Sequence, residues 1–441
     1  MREVLKKFKK LQPAPVAIFG AGLSGQGVKN LLDQMEWEYQ IFDEQGRAFE
    51  MADARNCSMV VTSPGFYPQH PWYKLAEKEG KEILGELEFG ALFLDGQKVV
   101  AITGTNGKTS VTTLMHQVCQ ALGIKSVIAG NVGTPITELI AEGLHQETTI
   151  FLETSSFQAR NLTYFKPTEV IWTNFAPDHL DYHENLNEYF RAKYRLLEFN
   201  NFEKCMVGES VHHYGKKHGF IFPESVKIIG KFSKEQVYLP TNHFLSNAPQ
   251  LENLALVESW FTQRGLNQND FYKIVENYHG QPHRLQVIKS KIKDITFWND
   301  SKATNHSAVL AACKNFTDKL FWIGGGKSKG EDLEGFAGLL KPYIKKAFLF
   351  GETGPALHSA LKNHGLWSVL CEDLKDAVTS AIRFATSPMD ILFSPGFSSF
   401  DEYKNYQERG KHFEDIVLDL KKGREEYTSL IFKPFALPTG R

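Results

Sequence analysis

The sequence predicts an α/β protein of several domains, and three observations predict it. Short apolar runs alternate with stretches of helical period along most of the 441 residues. Most of those runs end in Gly, Ser or Asn, as a tight strand-to-helix turn requires. At about 150 residues per domain, the length corresponds to three domains.

Taken in chain order, VAIFG (16–20), VVAITG (99–104), TIFLE (149–153), EVIWTNF (169–175), KLFWIGG (319–325), KAFLFG (346–351) and DILFSPG (390–396) read as strands of parallel sheets. Ligands of such sheets bind beyond the carboxyl ends of the strands, so these turns are where functional groups should gather. There is no internal repeat and no low-complexity linker, so boundaries come from the motifs. One is expected between Asp95 and Lys98 and another near Gly280 and Gln281, giving domains 1–96, 97–280 and 281–441.

Fifty basic and fifty-one acidic side chains leave a net charge of −1, which argues against a protein that coats nucleic acid or an anionic membrane. Five scattered cysteines, with no C-x-x-C pair, fit neither a disulfide framework nor a cysteine zinc site. The basic residues before Val16-Ala17-Ile18-Phe19 superficially suggest a secretory signal. That run is short and meets glycines at once, so it reads as a strand. No run approaches the roughly 18 apolar residues of a membrane span. A cytoplasmic protein without membrane insertion is expected.

Gly20-Ala21-Gly22-Leu23-Ser24-Gly25 follows the first strand, and Asp43 ends the next apolar run, YQIF. Alone, this is a dinucleotide fingerprint, a domain of that shape binding something else, or a tight βα turn. The second turn is more specific. Gly104-Thr105-Asn106-Gly107-Lys108-Thr109 lies between strand and helix, where backbone N–H groups and the helix N-terminus cradle phosphate. Lys108 can reach β- and γ-phosphates and the Thr109 hydroxyl can ligate Mg²⁺, so this is read as an ATP or GTP site. It departs from G-x-x-x-x-G-K-[ST], because Ile102 stands where the first Gly would be. Glu153, ending TIFL, occupies the place of an acidic magnesium ligand. Asp178-His179-Leu180-Asp181 reads either as a ligand cluster or as a solvated loop with a capping Asp. Lys193, on an amphipathic stretch with Tyr189, Tyr194 and Leu197, would ordinarily pass for a surface lysine.

In order along the chain stand GTNGKT, ETSSFQ, TNFAPDHLDYH, AKYRLLE, QPHRLQ, NDSKATN, GGGKSKGEDL and SPGFSSFDEYKNYQERG. This set resembles the Mur ligases, ATP-dependent amide-forming enzymes of peptidoglycan precursor synthesis. GAGLSG, SPGF at 63–66 and FDEYKNYQERG are most similar to the branch that adds D-glutamate to UDP-N-acetylmuramoyl-L-alanine. The alternatives are a Mur-type ligase adding another amino acid, or a folylpolyglutamate synthase. An NAD-dependent oxidoreductase rests on GAGLSG alone and leaves Lys108, Glu153 and NDSKATN without a task. A nucleotide-binding regulator without catalysis leaves Glu153, His179 and Lys193 without one.

The resemblance implies an α/β fold of three domains: N-terminal Rossmann-like, central P-loop ATPase-type and C-terminal Rossmann-like. It moves the first turn from NAD to UDP, with Leu23, Ser24 and Asp43 on uracil and diphosphate and Ser63 and Gly65 nearby. Asn131, Ser155 and Gln158 would contact the muramoyl and diphosphate portion. Gly104–Thr109, Asn253, Arg284 and Asp300 would hold ATP. Two Mg²⁺ ions are implied, one on Thr109 and Glu153 and the other near His179, with Lys193 N-carbamylated as an anionic oxygen ligand. Lys302, Thr304, Lys329, Ser399, Phe400 and Tyr406 match the amino-acid contacts. The expected state is a monomer acting on small molecules.

Three departures from the family pattern stand out. Pro249-Gln250-Leu251-Glu252-Asn253 replaces H-N-x-x-N, Tyr406 replaces Phe, and SPGFSS replaces SPACAS.

Overall fold

The computed structural model describes residues 14–420, apart from 231, 233–235, 241–242, 279, 290–291, 293 and 386–387. Its contacts divide the chain into two compact units. One runs to Ala176 and takes in His183–His243 and Gln250–Tyr278. The other comprises Pro177–Tyr182, Phe244–Pro249 and the chain beyond Tyr278.

The first unit carries two parallel sheets. β1 (Val16–Phe19), β2 (Tyr39–Phe42), β3 (Met59–Thr62) and β4 (Ile83–Gly85) form one, in the order β2-β1-β3-β4. β5 (Lys98–Thr103), β6 (Ser126–Gly130), β7 (Thr149–Glu153), β8 (Glu169–Trp172), β9 (Cys205–Gly208) and β10 (Lys227–Ile229) form the other, in the order β10-β9-β8-β5-β7-β6. The apolar runs are continuous because both faces are covered. Val16 and Ile18 pack into one core and Ala17 and Phe19 into another, following the two-residue period of a strand. β5 sits between β7 and β8. The chain leaves β5 towards β6 and β7 on one side and then crosses to β8 on the other. The carboxyl end of a strand at such a reversal is where sheets of this kind bind ligands.

Buried acids join these two sheets into one unit. Glu86 Oε1 accepts from Thr137 N at 2.9 Å and Thr137 Oγ1 at 2.7 Å. Glu88 Oε1 accepts from three successive amides, of Thr163, Tyr164 and Phe165. Burial pushes both carboxyls above their ordinary range, against the pull of these hydrogen bonds. Asn30 Nδ2 donates to Glu138 Oε2 at 2.8 Å. A Cβ on Gly27 or Gly90 would meet Thr137 or Ile136, so the helices Leu23–Gln34, Glu86–Ala91 and Ile136–Ala141 close tightly here. The expected boundary near Asp95–Lys98 thus separates two sheets but not two units.

The second unit holds one mixed sheet. β11 (Gln286–Ile288) runs antiparallel to β12 (Ile295–Asn299). β13 (Leu320–Gly325), β14 (Ile344–Phe350), β15 (Ser368–Leu370) and β16 (Met389–Phe393) complete the order β11-β12-β16-β13-β14-β15. Leu320 and Trp322 face one core and Phe321 and Ile323 the other.

All five cysteines are free and buried. Burial pushes Cys119 up to about 11 and Cys205, Cys313 and Cys371 up to about 12. Among the described residues, no helix is long and apolar enough to cross a membrane.

Candidate active site

The phosphate loop follows β5 and is held in shape by two glycines. Gly104 has φ +149° and Gly107 φ +83°, and a Cβ on them would lie 1.9 Å from Thr173 Oγ1 and 2.1 Å from Asn253 Oδ1. The residues after β8 fasten the loop. Thr173 Oγ1 and Asn174 Nδ2 donate to Asn106 O, and Asn174 Oδ1 accepts from Asn106 N at 2.9 Å. The helix Lys108–Ala121 then starts with no side-chain cap and no acid in its first turn, leaving its positive end open to an anion. Lys108 Nζ donates to Gly104 O at 2.8 Å and Thr105 O at 2.9 Å.

Asn253 reaches this loop from the helix Gln250–Thr262, and its Nδ2 donates to Gln250 Oε1 at 3.0 Å. Gln250, one of the departures from the family pattern, therefore orients the asparagine that remains.

Lys193 reaches the same loop, and Glu153 ends the strand next to β5. Glu153 is buried at the end of β7. Its Oε1 accepts from Asn131 Nδ2 at 3.1 Å, while its buried Oε2 has no hydrogen-bond partner. Lys193, on the helix Leu186–Phe199, is buried too. Its Nζ donates to Gly104 O at 3.0 Å and lies 4.9 Å from the Tyr189 ring centroid. This lysine faces the core, not solvent, because its position shares the apolar stripe of Tyr189, Tyr194 and Leu197. Among the described residues, no three His, Cys, Asp or Glu side chains group as a metal cage. An open carboxylate oxygen on Glu153, and the buried Thr109 at the start of the helix after the loop, nonetheless suit an ion that keeps waters and phosphate oxygens as its other ligands.

Ser155 and Gln158 form a reciprocal cap on the short helix Ser156–Arg160. Gln158 also lines a pocket with Ser63, Pro64, Phe66, Phe157 and Glu88. His183, which the sequence reading did not single out, buttresses this helix. It is buried, and its Nε2 lies 3.0 Å from Ser156 Oγ.

At the first turn, Asp43 Oδ2 accepts from Ala21 N at 2.9 Å and Oδ1 from Gln45 N at 3.1 Å. These backbone bonds hold its carboxyl below the usual range. Leu23 is 81% exposed at the head of its helix, beside the less exposed Ser24. Ser63 lies directly against Gly20, where a Cβ would come within 2.7 Å of its Oγ, and nothing crowds Gly65.

The second unit gathers the remaining candidates. Lys329 Nζ donates to Asp178 Oδ1 at 3.0 Å and to Thr304 O at 3.0 Å. The ion pair with Glu331 or Asp332 that sequence proximity suggests does not form; Glu331 instead accepts from the Lys329 backbone N–H. Asp178 also accepts from Asn305 Nδ2 at 2.9 Å. Burial alone would raise its pKa, but the charges of Lys329 and His179 and the hydrogen bonds from Lys329 and Asn305 outweigh that and hold it at about 2. His179 has φ +54° and its Nε2 stands 3.7 Å from Asp178 Oδ2. It therefore belongs to a different unit from Glu153 and Lys193.

Asp300, just past β12, accepts from Leu285 N at 3.1 Å and Ser394 Oγ at 2.8 Å. Burial pushes its carboxyl up to about 6, against the pull of Ser394 and the charge of Arg284. Arg284 Nε is buried without a hydrogen-bond partner. Lys302 Nζ lies 5.3 Å from the Tyr406 ring centroid. Ser399 is buried and Phe400 is 67% exposed. Arg409 carries no role in the sequence reading, although its Glu-Arg-Gly was part of the last motif. It is wholly buried behind these loops.

Comparisons with known proteins agree with this geometry. The Mur ligase middle domain matches residues 102–248, and the Mur ligase, glutamate ligase domain matches residues 283–396. The chain is 33% identical over 416 residues to the UDP-N-acetylmuramoylalanine–D-glutamate ligase of Aquifex aeolicus, covering 91% of this chain and 97% of that one. The enzyme of the same name from Geotalea uraniireducens is 30% identical, with 89% of each covered. Two solved structures share the fold. UDP-N-acetylmuramate-alanine ligase from Thermotoga maritima superposes with a TM-score of 0.58 at 14% identity, covering 92% of this chain and 100% of that one. The MurF ligase of Thermotoga maritima in complex with ADP gives 0.56 at 12% identity, with 95% and 97% covered. A phosphate loop with an open helix end, a lone carboxylate and a buried lysine, in a chain that aligns with these relatives almost end to end, places it in one group: the chain belongs to the Mur ligase family.

Proposed function

We propose that the chain is an ATP-dependent ligase that adds D-glutamate to UDP-N-acetylmuramoyl-L-alanine in peptidoglycan precursor synthesis. One observation carries the choice of amino acid: relatives named for that reaction match almost the whole chain, at up to 33% identity. The ATP chemistry is supported by the open-ended phosphate loop.

A carboxylate and an amine do not condense unaided in water. The substrate carboxylate attacks the γ-phosphorus, forming a C(=O)–O–P linkage while the bond from γ-phosphorus to the β-bridging oxygen breaks and ADP leaves. The loop amides of Gly104–Thr109 hold the phosphates, and Lys108 and Arg284 offset charge on the transferring group. Asn253 and Asp300 are assigned to adenine and ribose. The amine of D-glutamate then attacks the acyl carbon. Phosphate leaves from the tetrahedral intermediate, and the amine proton passes to a base; His179 is a candidate for that base only where it does not hold a metal, the role its position favours.

Glu153 and Thr109 would hold one Mg²⁺ and His179 a second, whose charge helps neutralise the phosphoryl oxygens. The unpartnered Oε2 of Glu153 supports the first assignment. A carbamate on Lys193, formed by its neutral amine and CO₂, would present an anionic oxygen at the loop. The burial of that lysine against Gly104 favours such a group over an exposed ammonium.

Leu23, Ser24, Asp43, Ser63 and Gly65 are assigned to the UDP end, and Asn131, Ser155 and Gln158 to the muramoyl and diphosphate portion. Exposed Leu23 offers an apolar face to a planar base. Lys302, Thr304, Lys329, Ser399, Phe400 and Tyr406 are assigned to the amino acid. The three sheets support the division 1–96, 97–280 and 281–441. One chain supplies residues for all three substrates, which supports a monomer, and the water-soluble nucleotide substrates favour the cytoplasm.

Phosphate release that requires both UDP-N-acetylmuramoyl-L-alanine and an amino acid tests the reading, with D-Glu, L-Glu, L-Lys and diaminopimelate compared. Turnover with D-Glu is expected. Turnover with another acid but not with D-Glu would overturn the specificity, and none with any acid would overturn the ligase.

A further inference from the structure

Arg409 lies on the helix Tyr406–Asp419 with no side-chain exposure to solvent. Its Nε donates to Ser301 Oγ at 3.2 Å. Nη1 donates to Phe397 O and Ser398 O, both at 3.2 Å, and Nη2 to Ser301 O at 3.0 Å and Phe397 O at 3.2 Å. The four acceptors of these five bonds belong to two loops, NDSKATN and SPGFSS, and none is a carboxylate. Burying a guanidinium on neutral acceptors is costly. Burial lowers its pKa to about 10, even with the charges of Asp401 and Glu402 acting in its favour. A methionine would fill the space without that cost, so the cation is matched to the carbonyls it fixes. The packing leaves no slack, because a Cβ on Gly326 would fall 2.3 Å from Ser398 O and 3.1 Å from Arg409 Nη1. Ser301 Oγ passes the constraint on, donating to Tyr406 O at 2.9 Å.

We propose that Arg409 is a positioning residue for amino-acid selection: its guanidinium sets the register of the two loops that carry Lys302, Thr304, Ser399 and Phe400, and through Ser301 that of Tyr406. The proposal rests on the reading of those residues as the amino-acid site. A rigid fork with five N–H groups can hold three carbonyls and a hydroxyl at once, which a lysine ammonium cannot. The NDSKATN loop also carries Asp300, assigned to the ATP ribose, but its carboxylate is held separately by Leu285 N and Ser394 Oγ, so a small shift of the loop is felt in amino-acid binding before it is felt at ATP.

The test compares wild type, Arg409→Lys, Arg409→Met and Ser301→Ala, measuring KM for the amino acid, for ATP and for the UDP-substrate, with thermal melts alongside. For Arg409→Lys, the expected result is an amino-acid KM raised about tenfold or more, a smaller D-Glu over L-Glu preference, and nucleotide KM values changed less than about twofold. Ser301→Ala should move the same parameter in the same direction by less. An Arg409→Lys enzyme with unchanged amino-acid KM and preference would overturn the proposal, as would an equal loss of apparent affinity for all three substrates. Should the Arg409 variants not fold, Ser301→Ala decides by the same criterion. Wild-type turnover separates this from the underlying reading. If wild type uses another acid in place of D-Glu, the specificity reading fails while the variants still test Arg409 with that acid.

Discussion

Lys329 Nζ and Asp178 Oδ1 stand 3.0 Å apart although 151 positions separate them in sequence, and both are largely shielded from water. Removing one partner of such a pair strands the other. Lys329→Met should destabilise the second unit by about 3 kcal/mol, and the added change Asp178→Asn should restore most of it. Urea denaturation of the single and double variants measures this. Equal stability of wild type and Lys329→Met would show that the pair contributes nothing.

Lys108→Ala should lower acyl phosphate formation by about 10²–10³-fold or more, the scale of losing one preorganised charge-stabilising donor. Trapping the acyl phosphate with hydroxylamine reads this step apart from amide formation. Near-normal trapping would take the phosphate loop out of the mechanism.

Lys193→Ala should lose about 100-fold or more of activity, as expected when a charged group at the reacting phosphate is removed. Formate, acetate or propionate should restore part of it by occupying the place proposed for a carbamate. A ¹³C-bicarbonate label on the wild-type lysine, followed by NMR, gives a second reading without turnover. Full activity in the alanine variant would remove Lys193 from the site.

Asp300 sets a pH dependence whose sign can be worked out. Its folded pKa of about 6 lies above the ordinary value of 3.8, so the folded state holds the proton more tightly. Its contribution to stability is then fully present below about pH 4 and is lost as pH rises through about 6. Relative to Asp300→Asn, the wild type should lose roughly 1–3 kcal/mol between these limits. Denaturation at pH 4, 5, 6 and 7 checks this, and parallel profiles of the two proteins would refute it.

The sheets were legible because β1, β5, β7, β8, β13, β14 and β16 are unbroken apolar runs ending in turn residues. Three-residue edge strands such as β4, β10, β11 and β15 carry too little pattern to read. GTNGKT announced the phosphate loop because its chemistry is local. The surroundings of Lys193, Lys329 and Arg409 were not legible. Each depends on carbonyls or carboxylates brought together by tertiary folding, and a lone cation in sequence looks like a solvated one. Glu86 and Glu88 are no more legible, since nothing in ELEF reveals that one acid caps the start of the helix Ile136–Ala141 and the other accepts from three loop amides at 163–165.

Those two acids have a consequence for how three reactants meet. By welding the first sheet to the second, they make the spacing between the Leu23 turn and the Gly104 loop a property of the folded chain, settled before any ligand arrives. With the UDP end at the Leu23 turn, as proposed, the loss of freedom in aligning the UDP-linked carboxylate with the γ-phosphate would largely be met during folding. Seen as a clock rather than a scaffold, such a molecule would set one of its two meetings in advance and leave only the amino acid to be timed.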